Sequence, residues 1–89
     1  MDKARILIVE DELIVAEDLK EVIEGLGYEV VGIADTGADA IAQAMQLKPD
    51  LMMSDIRLRG AMNGIEAAQQ IGAQIDLPVV FLSAFADGE

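Results

Sequence analysis

Four short apolar runs alternate along the chain with three stretches in which apolar and charged positions interleave. The first run, RILIV (residues 5–9), has no polar interruption after Arg5 and is rich in β-branched residues, which predicts a strand buried on both faces. Residues 13–26 set Val15, Leu19, Val22, Ile23 and Leu26 on one stripe, with Glu17, Asp18, Lys20, Glu21 and Glu24 between them. That spacing predicts an amphipathic helix, and Gly25 and Gly27 end it. YEVVGIA (28–34) reads as a second strand. Thr36, with Asp39 three residues on, predicts a capped helix over 37–48, which Pro49 stops. LMMS (51–54) is a third strand that stops at Asp55, with Met52 and Met53 as core and helix-facing residues. After a loop over 56–62, Asn63 and Glu66 cap a third helix whose apolar face is Ile65, Ala68 and Ile71. Leu77 and Pro78 lead into a fourth strand, VVFLS (79–83).

Continuous apolar strands alternating with amphipathic helices predict an α/β fold: a parallel sheet with helices on both faces. With 89 residues and 53% hydrophobic content there is material for one domain. No repeat, linker or low-complexity segment divides it. In such a sheet every strand ends at the same edge, and ligands bind beyond that edge where the strand order reverses.

Charge narrows the chemistry. Seventeen acids against 6 bases give a formal charge of −11, which disfavours nucleic acid and anionic lipid as partners. Cysteine and histidine are both absent, so thiolate and imidazole chemistry are excluded. A metal held by this chain is held by oxygen, which favours a hard cation such as Mg2+. The opening residues, MDKARILIVEDE, read neither as a signal peptide nor as a membrane span, and the compartment expected is the cytoplasm.

The first strand runs directly into Glu10, Asp11 and Glu12. An acid triplet ahead of a helix is an ordinary complement to the helix dipole. Asp55, 44 and 45 residues beyond Asp11 and Glu10, changes that reading. If the first and third strands are neighbours, with the second outside the first, three carboxylates converge at one edge. They repel one another unless a cation sits among them. With Mg2+ there, Asp55 can act as a nucleophile toward a phosphoryl group, and Ser83 can donate a hydrogen bond to a phosphoryl oxygen.

ILIVEDE, PDLMMSDIRLRG, MNGIEAAQQI and LPVVFLSAFAD together resemble the receiver domain of two-component response regulators, over residues 6–87. The resemblance implies a flavodoxin-like sheet in strand order 2-1-3-4, with a fifth strand in the complete family fold. It makes Asp55 the phosphoacceptor that forms an aspartyl phosphate. Glu10 and Asp11 hold Mg2+ together with Asp55 and the backbone carbonyl of Arg57. Ser83 matches the switch hydroxyl, and Ala84 the small residue that keeps the site open. The donor implied is a phosphohistidine on a sensor histidine kinase or a histidine phosphotransfer protein. Such a domain is a switch and a phosphotransfer substrate that catalyses its own phosphoryl transfer.

Two departures stand out. The loop after Asp55, IRLRGAMNG, has no proline and is one residue longer than the family's usual loop. The family's fifth strand, its lysine and its last helices have no counterpart in residues 1–89, so the domain is expected to be incomplete at its C-terminal end. The open edge of the fourth strand then predicts self-association. A truncated or engineered half-domain without phosphotransfer activity is the alternative function. A flavodoxin-type cofactor site is disfavoured because EDELIV offers charge where phosphate-cradling amides are needed. A phosphatase with an aspartyl nucleophile would want a second Asp at position 57, which is Arg. Arg57 and Arg59 read as a solvated loop pair in preference to cations that attract an anionic phosphodonor.

Overall fold

The computed structural model describes residues 3–82. The elements follow in the order β1 (Arg5–Val9), α1 (Leu13–Gly25), β2 (Glu29–Ala34), α2 (Gly37–Leu47), β3 (Leu51–Asp55), α3 (Gly64–Gly72) and β4 (Val79–Leu82). The four strands form one parallel sheet in the order β2-β1-β3-β4. Chain order reverses between β1 and β3, so the reversal point lies where the expected carboxylates end their strands.

The alternating sides of β1 feed two cores. Leu7 and Val9 join Ala34, Met52, Ala40, Ala44 and Ile71 in the layer under α2 and α3. Ile6 and Ile8 join Ala16 and Ile23 in the layer under α1, with Leu19, Val30, Leu51 and Met53 packed against them. Leu7, Ile8 and Val9 are fully buried, as a strand covered from both sides must be.

Two helical faces differ from the sequence expectation. On α1 the buried residues are Ala16 and Ile23, while Val15, Val22 and Leu26 are exposed. Ala16 is small enough to bring the helix axis close to the sheet, and the stripe Ala16–Leu19–Ile23 that follows from it is narrower than hydropathy suggests. On α3, Gly64, Ala67 and Ile71 are buried, Ala68 packs at the margin, and Ile65 is 42% exposed. As on α1, a small residue and an isoleucine share the buried face, while another large apolar residue lies outside it.

The helix ends follow local chemistry. Thr36 accepts from the Asp39 N–H at 3.0 Å. Asn63 and Glu66 complete a reciprocal capping box, at 2.8 and 2.9 Å. The chain leaves α2 through Lys48 in the left-handed region (φ 48°) ahead of Pro49. At the N-terminal edge of the sheet, the Arg5 guanidinium donates to the carbonyls of Leu47 and Lys48 at 2.9 and 3.1 Å, and the Arg5 N–H donates to Asp50 Oδ2 at 2.7 Å. One residue thereby ties the end of α2 and the entry to β3 onto the start of β1.

Candidate functional site

At the opposite edge, β1 delivers Glu10 and Asp11, and β3 delivers Asp55. One carboxylate oxygen from each lies within 4.8 Å of the others. The register explains the meeting: Val9 pairs with Ser54, so the residues following each of them leave the sheet side by side. The two strands are neighbours, as the convergence of these acids requires.

Glu10 is 6% exposed, an unusual position for a carboxylate. Its Oε2 accepts the Glu12 N–H at 3.0 Å, which closes a tight turn between β1 and α1. Burial pushes its carboxyl up from the ordinary value. The hydrogen bond with Asp11 and the nearby charges of Asp55 and Asp11 push the same way, against the lowering effect of the Glu12 N–H.

Asp55 is held from its backbone. The Ser54 hydroxyl donates to the Asp55 carbonyl at 2.8 Å, and the Gly64 N–H donates to the Ile56 carbonyl at 2.7 Å. Gly64 opens α3 directly against the Asp55 peptide. A Cβ there would overlap the Asp55 carbonyl oxygen and lie 2.8 Å from Ser54 Oγ. Arg57, expected to contribute its carbonyl, follows two residues later, and its N–H donates to Asp55 Oδ1 at 3.3 Å.

Ser83 and Ala84 lie outside the described residues. The structure therefore assembles Glu10, Asp11 and Asp55 and sets Arg57 beside them. The cluster offers only carboxylate oxygens, with no nitrogen or sulfur donor. That donor chemistry fits a hard divalent cation.

The sequence reading missed three supports. Ser54 is fully buried and gives its hydrogen bond to the Asp55 carbonyl. Gly64 is required by close approach and not by a turn. Arg59 is not simply solvated: its Nε lies 3.7 Å from Asp11 Oδ2. A glycine at the first turn of a capped helix was a usable signal for the second. Nothing in the spacing signals the third.

The chain is similar to known proteins over nearly all of its length. The family model described as the response regulator receiver domain matches residues 6–89. The phyllosphere-induced regulator PhyR of Methylorubrum extorquens is 37% identical over 83 residues, which is 92% of this chain and 31% of the relative. The transcriptional regulatory protein PdtaR of Mycobacterium tuberculosis is 40% identical over 82 residues, again 92% of this chain and 40% of the relative. The crystal structure of a signal receiver domain of a modulated diguanylate cyclase from Desulfovibrio desulfuricans superposes with a TM-score of 0.88 at 40% identity, covering 97% of this chain and 68% of that one. The chain thus spans between 31% and 40% of the length of these two curated relatives.

Proposed function

The chain belongs to the response regulator receiver domain family, and on that premise we propose that Asp55 accepts a phosphoryl group from a phosphohistidine donor. The observation that supports this best is the convergence of Glu10, Asp11 and Asp55 from two adjacent strand ends. Receiver domains are signalling switches, and the chemistry proposed is a single reversible transfer.

Glu10 and Asp11 would hold Mg2+, together with an Asp55 oxygen and the Arg57 carbonyl. When bound, the cation offsets the charge of the carboxylates and of the incoming phosphoryl group. A free Asp55 oxygen attacks phosphorus. The phosphorus–nitrogen bond breaks, its electron pair returns to the donor imidazole, and an acyl phosphate forms on Asp55. No proton has to leave Asp55, which attacks as a carboxylate. The hydrogen bonds from Ser54 and Gly64 hold the two peptides that follow Asp55, so the backbone carrying the nucleophile is fixed before the donor arrives. Ser83 is proposed as the hydroxyl that meets the phosphoryl group, and Ala84 as the small neighbour that admits it. The partner proposed is a sensor histidine kinase or a histidine phosphotransfer protein.

The test is intact-mass spectrometry after incubation with Mg2+ and acetyl phosphate. One phosphoryl adduct is expected on the wild type and none on Asp55→Asn. An adduct retained by Asp55→Asn would place the acceptor elsewhere. An inert wild type would favour the half-domain reading.

A further inference from the structure

The loop between β3 and α3 does more than connect them. Arg59 forms an isolated parallel β-bridge with Thr36, the cap of α2. Thr36 follows the end of β2 by two residues, and Arg59 follows the end of β3 by four. In the sheet, β1 lies between β2 and β3. A segment that leaves β3 and bridges to the end of β2 therefore crosses over the end of β1, where Glu10 and Asp11 sit. Two further features fix the crossing. Gly60 adopts φ +98°, a left-handed conformation that glycine supplies at no steric cost. Met62 packs so closely on Gly37 that a Cβ at 37 would lie 3.0 Å from Met62 Cβ and Sδ.

The crossing delivers one cation to the acids. Among the described residues, Arg59 with Asp11 is the only ion pair. The pair is lopsided. The Arg59 side chain is 75% exposed and that of Asp11 only 19%. Arg59 is already mostly hydrated and gives up little when the pair opens, while Asp11 is held in the less exposed position.

We infer that Arg59 is a tethered counter-cation. It balances Asp11 while the acid cluster holds no metal, and it yields when Mg2+ arrives, so it sets how tightly the site takes the metal. The inference rests on the metal-binding reading above. Arg59 acts through Asp11 and is a positioning residue. Its effect is competitive: the same guanidinium that relieves the metal-free cluster must weaken its hold as the divalent charge enters.

The test is calorimetric Mg2+ titration of the 89-residue chain. Arg59→Gln should tighten Mg2+ about three- to tenfold, the range expected for removing one mostly solvated like charge beside the site. Arg59→Lys keeps the charge and should stay near wild type. Lys20→Gln, on α1, makes the same change in net charge away from the loop and should move the affinity less than Arg59→Gln does. Unchanged or weaker binding in Arg59→Gln overturns the inference, as does equal tightening in Lys20→Gln. Wild type without saturable Mg2+ binding would instead overturn the metal reading, and this inference with it.

Discussion

Neutralising Glu10 should make the metal-free protein more stable. In Glu10→Gln the amide oxygen can still accept the Glu12 N–H, so the turn into α1 keeps its hydrogen bond. What disappears is one negative charge whose oxygen lies no more than 4.8 Å from oxygens of Asp11 and Asp55. At that separation two unit charges repel by about 1 kcal/mol in bulk water and about 3.5 kcal/mol at an effective dielectric of about 20. Glu10 has two such neighbours and is buried, so a gain of about 1–3 kcal/mol at neutral pH without metal is expected. In a domain of this size each kcal/mol raises Tm by about 4–8 °C.

The pH dependence carries the sign. The folded-state carboxyl lies above its ordinary value of 4.5, so the folded protein binds more protons than the unfolded one in that window. Stability is lost as pH rises from 4.5 through the raised value. Gln has no proton to lose. The variant's advantage should be full above the window and vanish below it. Thermal unfolding followed by circular dichroism in chelator, across acidic to neutral pH, reads this directly. The same series with Mg2+ should reverse the order, because the wild type gains binding energy that the variant lacks. A Glu10→Gln protein less stable than wild type at neutral pH in chelator would refute the reasoning. It would mean that the buried carboxylate has net favourable partners instead of two repulsive ones.

Four further outcomes follow. Asp11→Ala should remove the Mg2+ dependence of labelling with acetyl phosphate, read by intact mass. Gly64→Ala should cost about 2–4 kcal/mol in denaturant unfolding, since the new methyl overlaps backbone that cannot withdraw; Gly72→Ala, with nothing within 4 Å, should be neutral or stabilising by up to about 1 kcal/mol. Asn63→Ala should cost about 1 kcal/mol through loss of the capping box on α3. Val80 and Phe81 on β4 are exposed, and among the described residues β4 pairs only with β3. The sedimentation coefficient of this 89-residue chain should therefore rise with concentration, and a concentration-independent monomer would dismiss edge pairing.

Much of this was legible because strand runs and helix stripes have different periods. Ile6–Val9 and Leu51–Ser54 could only be short buried strands, and the acids after them mark where those strands leave the core. The convergence of Glu10, Asp11 and Asp55 followed once β1 and β3 were neighbours, an order that the family resemblance supplied and the periodicity did not. What hydropathy misread were the helix faces. Ala16, Gly64 and Ala67 are buried beside Ile23 and Ile71, while Val22 and Ile65 face outward. A scale that rewards apolar bulk ranks these positions in the reverse order. Arg59 was invisible for another reason. Its partner lies 48 positions away, and the loop that carries it there is placed by the bridge to Thr36, which no local spacing encodes.

Arg5 sits at the far edge of the sheet, about 16 Å of strand away from the acids, yet it works as a register pin for them. By clasping Asp50 and the last carbonyls of α2, it fixes how far β1 and β3 enter the sheet relative to each other. A slip of one residue would turn every side chain of a strand to the opposite layer. Asp55 would then no longer emerge beside Glu10, although not one atom of the site had been altered. The distance between those carboxylates is measured out from the other end of the strands.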